Sequence, residues 1–69
     1  MDKEFCKRLR KLREEFGKTQ KEMAIVVRRG QPCYNSWEQG LREPDIETLK
    51  ILALFFDVSV DYLVGKCPN

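Results

Sequence analysis

The chain has 69 residues, of which 42% are hydrophobic and 35% charged, and its formal net charge is +2. A chain of this length forms one domain at most and buries only roughly 60% of its unfolded surface, so we expect a partner subunit to add stability. Three cysteines and no histidine match none of the usual zinc-site spacings, so no metal or other cofactor is expected.

The sequence predicts neither a membrane span nor an export signal. The longest near-apolar run, residues 51–56, is far shorter than the ~20 residues of a membrane span, and the charged N-terminus leads into no apolar stretch. We therefore expect a cytoplasmic protein with reduced thiols at Cys6, Cys33 and Cys67. These side chains are interpreted as small and inert, although Cys33, in the first turn of a predicted helix, would also suit a redox switch.

Charge is divided unevenly along the chain. Residues 1–44 contain 11 basic and 7 acidic side chains, whereas residues 45–69 contain 2 basic and 4 acidic ones. A basic first part is compatible with a polyanionic partner, but charged helix faces are more often simply solvated.

The first two predicted helices show apolar periodicity and helix-end signals. Residues 3–16 repeat apolar side chains at helical spacing, and Gly17 suits the position that ends a helix. A second helix runs from Thr19 to about residue 28, because Thr19 and Glu22 form a capping-box pattern. The predicted inward faces consist of Phe5, Leu9, Leu12 and Phe16 in the first helix and Met23, Ala24 and Val27 in the second.

The third predicted helix, residues 31–39, has two different faces. Pro32 suits its first turn and Gly40 its end. One face is apolar and aromatic, with the hydroxyl of Tyr34 expected to reach the surface, and the other is rich in amides. The apolar face consists of Tyr34, Trp37 and Leu41, and the amide face of Gln31, Asn35 and Gln39.

Two further helices are predicted near the end of the chain. Residues 45–56 begin with Asp45 as N-cap, and residues 59–64 begin with Ser59 and end before Gly65. The inward face of the longer helix consists of Ile46, Leu49, Leu52, Ala53 and Phe56. No segment shows sustained strand alternation, so we predict an all-α fold of five short helices.

Two motifs in the middle of the chain resemble a known family. Residues 19–24 read T-Q-K-E-M-A and residues 37–44 read W-E-Q-G-L-R-E-P, which resembles the lambda-repressor-like helix-turn-helix family of Cro and phage repressors. Residues 57–65 are similar to the closing segment of that family. The resemblance covers residues 5–65, nearly the whole chain.

This resemblance implies a fold and a function. The fold would be a compact five-helix bundle, with residues 1–69 as a single domain and a helix-turn-helix at about 19–39. Residues 31–39 would enter the major groove of double-stranded DNA, and a symmetric dimer would bind a pseudo-palindromic operator. The predicted dimer surface lies on residues 45–64, where Leu54, Phe55, Val60, Tyr62 and Val64 either form an exposed apolar patch or fold back into the core.

The turn between the second and third helices departs from the family pattern. The family usually has a glycine followed by Val or Ile, whereas this chain has Arg28 and Arg29, with the glycine displaced to Gly30. The family glycine often adopts a left-handed conformation, in which an arginine costs roughly 1 kcal/mol or more.

The resemblance also implies roles for individual side chains, for each of which a solvated polar residue is the alternative. A glutamine amide at Gln31 can bond to N6 and N7 of adenine together, and Gln20 would support Gln31. Arg13 and Glu38 would form an ion pair between the first and third helices. The expected base-reading residues are Gln31, Asn35 and Ser36, and the expected phosphate contacts are Thr19, Gln20, Arg28, Arg29, Gln39 and Arg42.

The expected function is a sequence-specific, DNA-binding transcriptional regulator of the repressor type. The alternative, indicated by the unusual turn and the modest net charge, is a protein-interaction module that keeps the fold but has lost tight DNA binding. An enzyme is not expected, because the chain has no histidine, no phosphate-binding glycine loop and no cluster of metal ligands. No small-molecule site is evident, and a chain of this length leaves no room for an effector domain, so regulation would come from expression level, a partner or the thiols.

Overall fold

A computed structural model describes residues 3–65 of the chain. Its five helices are α1 (Lys3–Glu15), α2 (Gln20–Val27), α3 (Gln31–Glu38), α4 (Ile46–Phe56) and α5 (Val60–Leu63). The predicted all-α, five-helix fold is confirmed, and residues 3–65 contain no strand. Within the same residues no helix is long and apolar enough to cross a membrane. Cys67 and both ends of the predicted 1–69 domain lie outside the described residues.

Side-chain caps set the starts of three helices. The hydroxyl of Thr19 accepts a hydrogen bond from the backbone N–H of Glu22, and the Glu22 carboxylate accepts one from the backbone N–H of Thr19. Asp45 and Ser59 likewise accept from the N–H three residues ahead of them. The predicted caps at Thr19, Asp45 and Ser59 are therefore confirmed, and each satisfies an N–H that the helix itself leaves without a partner.

Left-handed residues end the four longer helices. Gly17 (φ 67°) and Gly40 (φ 77°) follow α1 and α3, as the sequence predicts. Arg28 (φ 59°) and Asp57 (φ 57°) take the same conformation after α2 and α4 although both carry a side chain. The left-handed conformation expected at Arg28 is confirmed, and it costs roughly 1–2 kcal/mol for a residue other than glycine.

The core takes side chains from all five helices. Tyr34 and Trp37 are buried in it and pack edge to face, with ring centroids 5.7 Å apart. Both belong to α3, so this helix is held to the body of the protein by its aromatic face and its amide face is turned outward. The buried apolar residues are Phe5, Leu9, Leu12, Met23, Ala24, Val27, Tyr34, Trp37, Leu49, Leu52, Ala53, Phe56 and Leu63.

Two residues predicted to face inward lie on the surface instead. Phe16 is exposed because α1 ends one residue before it, and its ring packs on the outside of Phe55 and Phe56, at centroid distances of 6.0 Å and 5.1 Å. Ile46 is exposed because it occupies the first turn of α4, at the edge of the buried face of that helix.

Two expectations about α3 are also wrong. Leu41 is exposed, because α3 ends at Glu38 and the turn at Gly40 takes the chain away from the helical spacing that would bury it. The hydroxyl of Tyr34 does not reach the surface: it is buried and makes no hydrogen bond within the described residues. Burial, and then the neighbouring Glu38 carboxylate, raise the pKa of Tyr34 well above its ordinary value.

Replacing Arg28 with glycine is expected to increase the free energy of unfolding by about 1 kcal/mol, because glycine adopts a positive φ without the clash of a Cβ atom. Chemical denaturation of both proteins measures the difference. The matched control is Arg29→Gly, since Arg29 is the adjacent arginine but lies outside the left-handed region, and this change should not stabilise the protein. If the Arg28→Gly variant is no more stable than the parent, the left-handed conformation at Arg28 does not destabilise the protein.

Candidate nucleic-acid interface

The outer face of α3 is a polar surface beside the start of α2. The two helices are joined by residues 28–30 and pack against each other, and α3 also packs against α1. On the outward side of α3, Gln31, Pro32 and Gln39 are exposed, and Asn35 and Ser36 are half-buried. The uncharged face predicted from the sequence therefore exists.

A nearly buried ion pair fixes the position of α3. Arg13 on α1 donates from Nε to Glu38 Oε2 (2.6 Å) and from Nη2 to Glu38 Oε1 (3.2 Å), and its Nη1 donates to the carbonyl oxygen of Lys18 (2.9 Å). The side chains of Arg13 and Glu38 are only 14% and 4% exposed. The predicted pair is thus confirmed, and it joins α1, the loop before α2, and α3.

The electrostatics of the pair favour its charged form. The hydrogen bond with Glu38 raises the pKa of Arg13. Burial by itself raises the pKa of Glu38, but the hydrogen bonds that it accepts, that from Arg13 above all, outweigh this and hold its pKa below the ordinary value. Glu38 is therefore a carboxylate at neutral pH.

Gln20 extends this pair to the outer face of α3. Its Nε2 donates to Glu38 Oε1 (3.1 Å) and to Asn35 Oδ1 (2.8 Å). The expected support of Gln31 by Gln20 is replaced by support of Asn35, since both amide hydrogens of Gln20 are used. Arg13, Glu38, Gln20 and Asn35 form one connected set of hydrogen bonds, which we call the polar network.

An open groove lies between the starts of α2 and α3. It has a volume of about 320 Å³ and is lined by Gln20, Gln31, Pro32 and Asn35. Three amides and one apolar ring therefore face the same space. Pro32 is not among the predicted contact residues. Its spacing from Asn35 is the sequence signal for its place in the groove, since residues i and i+3 lie on the same side of a helix.

Besides Thr19, Gln20 and Asn35, two further predicted DNA contacts already have partners in the protein. The hydroxyl of Ser36 donates to the carbonyl oxygen of Cys33 (2.6 Å), so only its lone pairs can face a ligand. Arg29 forms an ion pair with Asp45 at 3.3 Å, in which both side chains are about half exposed. Such pairs contribute little to stability, so this one can open at small cost.

The remaining predicted phosphate contacts are exposed and lie at the ends of α2 and just after α3. Thr19 lies at the start of α2 and Arg28 at its end, while Gln39 and Arg42 follow the end of α3. The structure thus leaves these four side chains accessible at the ends of α2 and after α3.

The predicted dimer residues do not all share one environment. Leu54 is 84% exposed, whereas Phe55, Val60, Tyr62 and Val64 are half-buried and pack against the core. On the outward side of α4, Ile51 lies at helical spacing from both Leu54 (i+3) and Phe55 (i+4), and Phe16 packs on Phe55.

A contact between α1 and α5 was not foreseen. The guanidinium of Arg8 lies 4.4 Å from the centroid of the Tyr62 ring and donates to the Tyr62 carbonyl oxygen at 3.0 Å. Nothing in the sequence distinguishes Arg8 from the other cations of α1, because the contact spans 54 residues. It holds α5 in place and limits the freedom of Tyr62.

Comparison with known proteins gives the family. A helix-turn-helix family model matches residues 9–63, which include α2, α3 and the turn between them. The chain belongs to the helix-turn-helix family. The helix-turn-helix itself consists of α2, residues 28–30 and α3, and the polar network links its two helices to α1.

Several curated relatives are similar over most of this chain. The HTH-type transcriptional regulator ImmR of Bacillus subtilis is 42% identical over 60 residues, which are 87% of this chain and 47% of ImmR. The cryptic phage CTXphi transcriptional repressor RstR of Vibrio cholerae is 35% identical over 61 residues, 88% of this chain and 55% of RstR. The HTH-type transcriptional activator BcrR of Enterococcus faecalis is 33% identical over 62 residues, 90% of this chain and 30% of BcrR. The chain thus spans about half the length of ImmR and RstR, and no solved structure matches it significantly.

Replacing Glu38 with glutamine is expected to decrease the free energy of unfolding by about 3 kcal/mol, because it leaves the guanidinium of Arg13 nearly buried without a counter-charge. Chemical denaturation at neutral pH measures the loss. Glu14→Gln is the matched control, since Glu14 pairs with Arg10 on the surface of α1, and it should change stability by less than about 0.5 kcal/mol. Equal losses in the two variants would show that burial of the Arg13–Glu38 pair is unimportant.

The same pair predicts a dependence of stability on pH. The folded pKa of Glu38 lies below its unfolded value, so its contribution is fully present above the ordinary glutamate pKa of about 4.3 and is lost as the pH falls through the folded pKa. Denaturation measured at successive pH values below 5 should therefore show a smaller loss of stability for Glu38→Gln than for the parent. If the stabilities of the two proteins fall in parallel with decreasing pH, the pKa of Glu38 is not lowered by folding.

Proposed function

We propose that this chain is a sequence-specific transcriptional regulator that places α3 in the major groove of double-stranded DNA. The proposal rests on the difference between the two faces of α3. Tyr34 and Trp37 are buried in the core on one face, and the opposite face presents uncharged hydrogen-bonding groups. A major groove about 12 Å wide admits such a helix, and amides can distinguish base edges. The names of ImmR, RstR and BcrR, which describe transcriptional regulation, support the proposal.

In this proposal Gln31 and Asn35 read bases, with Ser36 as a hydrogen-bond acceptor beside them. Gln31 is exposed at the start of α3, where its amide can approach an adenine in the groove. We propose a repressor, in line with the name of RstR, acting through residues 1–69 as one domain in the cytoplasm, where its DNA would lie.

Phosphate contacts would come from groups around the groove. Because the amide hydrogens of Gln20 are used inside the protein, the backbone N–H groups at the first turn of α2 are the better donors to a phosphate. Thr19 adds a hydroxyl, and Arg28, Gln39 and Arg42 add exposed side chains at the ends of the motif. Arg29 would have to leave Asp45 to join them.

We also propose that the protein binds DNA as a homodimer through the outward side of α4. Leu54 is the most exposed large apolar residue among residues 3–65, and Ile51, Phe55 and Phe16 extend the apolar surface around it. A two-fold axis at this surface would present two α3 helices, and two half-sites are read in adjacent major grooves about 34–36 Å apart. Burial of this surface would also stabilise a small domain.

The alternative function is a protein-interaction module without tight DNA binding. It is favoured by the strained turn at Arg28 and by the internal partners of Arg29, Gln20 and Ser36. Duplex binding that weakens steeply with salt distinguishes DNA binding from this alternative, because binding to phosphates releases counterions.

Selection from a random duplex library at moderate salt should enrich a motif with two inverted half-sites. Gln31→Ala is then expected to weaken binding to the enriched duplex by about 1–3 kcal/mol and to change binding to random duplex much less, since a base contact carries specificity. Arg42→Ala should weaken binding to both and decrease the salt slope by about 1. Equal losses on both duplexes for Gln31→Ala would show that Gln31 reads no base.

Replacing Leu54 with glutamate is expected to convert a dimer into a monomer, because the change places a charge at the centre of the apolar surface. Equilibrium sedimentation of the full chain measures the oligomeric state. Ile25→Glu is the matched control: Ile25 is also exposed, but it lies on α2, so this variant should remain a dimer. A monomeric parent protein, or a dimeric Leu54→Glu variant, would rule out this surface.

A further inference from the structure

The hydrogen bonds of the polar network determine the orientation of the side-chain amides of Gln20 and Asn35. The carboxylate of Glu38 sets the first of these orientations. An ionised carboxylate accepts hydrogen bonds and donates none. Glu38 receives two of its hydrogen bonds from Arg13, at 2.6 Å and 3.2 Å. Any other group in contact with its oxygens must therefore be a donor.

The side chain of Gln20 meets this requirement in only one orientation. Its amide nitrogen must face Glu38 Oε1, which lies 3.1 Å away. The amide nitrogen has two hydrogens, and the second points to Asn35 at 2.8 Å. If the amide of Gln20 were turned over, its carbonyl oxygen would face the Glu38 carboxylate, an unfavourable contact between two acceptors in a nearly buried site.

The orientation of Gln20 in turn orients Asn35. Because Gln20 donates a hydrogen bond to it, Asn35 uses its Oδ1 atom as an acceptor within the protein. The nitrogen end of the amide is then the end left for a ligand in the groove that Asn35 lines. A free asparagine can offer an acceptor and a donor together and so bind N6 and N7 of adenine. Asn35, with its oxygen held by Gln20, presents two donors instead.

We propose that Asn35 reads guanine rather than adenine, because guanine offers two adjacent acceptors, O6 and N7, in the major groove, and adenine offers a donor beside its single acceptor. This inference rests on the proposed function, since it specifies the base that α3 selects. Gln20 and Glu38 are positioning residues here: they act on the base through Asn35. Gln31 is exposed and lies outside the polar network, so its amide can turn to bind either adenine or guanine.

The first test locates the base pair that Asn35 reads. The parent protein and Asn35→Ala are compared on the duplex enriched from the random library and on all its single-base-pair variants. At one base pair, Asn35→Ala should lose the sequence preference that the parent shows, and we expect this base pair to be G·C. Replacing the guanine of this pair with adenine or 7-deazaguanine should weaken DNA binding by the parent about tenfold, the value of one hydrogen bond to a base. An A·T pair at this position, or no such pair, would overturn the inference and leave the proposed function standing.

The second test removes the cause of the orientation. Gln20→Ala keeps the Arg13–Glu38 pair but frees Asn35, so the preference for guanine over adenine at that pair should fall from about tenfold to near one, while preferences at other pairs persist. Glu38→Gln should also abolish the guanine preference, at a temperature where circular dichroism shows that the variant remains folded. The control Glu14→Gln should keep the preference.

An undiminished guanine preference in Gln20→Ala would overturn the role of the polar network. A folded parent that enriches no duplex and shows no salt-sensitive binding would instead refute the proposed function, and the inference with it.

Discussion

The ion pair between Arg13 and Glu38 is the interaction on which the arrangement of the first three helices depends. Two charges can be nearly buried in a small domain only if each remaining donor and acceptor also finds a partner. Arg13 meets this condition by donating to the carbonyl oxygen of Lys18 as well as to Glu38, and Glu38 by accepting from Gln20. A single pair therefore positions the end of α1, the start of α2 and the outer face of α3.

This dependence connects stability with recognition. A domain of 69 residues has a free energy of unfolding of roughly 3–10 kcal/mol, so a positive φ at Arg28 is a substantial cost. Burial of the Tyr34 and Trp37 rings in the core is among the terms that offset this cost. The same contacts hold α3 against the body of the protein, and the hydrogen bond from Gln20 orients the amide of Asn35 on its outer face.

Local signals in the sequence account for most of the helix boundaries. Thr19, Asp45 and Ser59 cap helices because their side-chain oxygens satisfy N–H groups within three residues. Apolar periodicity does not predict burial past a helix end or in the first turn of a helix, as Phe16, Leu41 and Ile46 show. Phe16 and Leu41 lie beyond the last helical residue, where side chains no longer follow a 3.6-residue repeat.

The five helices, their caps and the residue types on each face of α3 were predictable from the sequence, because all of these depend on neighbours within one or two helical turns. The left-handed conformation at Arg28 was implied by the family resemblance, since Arg28 stands where the family usually has a glycine. The Arg13–Glu38 pair was predicted from the resemblance to the family, because its two residues are 25 positions apart and no local pattern relates them. Three contacts were not predictable from the sequence: that of Gln20 with Asn35 rather than Gln31, that of Arg29 with Asp45, and that of Arg8 with Tyr62. Those contacts depend on the packing angles of helices distant in sequence, and hydrogen bonds are sensitive to differences of a few tenths of an ångström that periodicity does not specify.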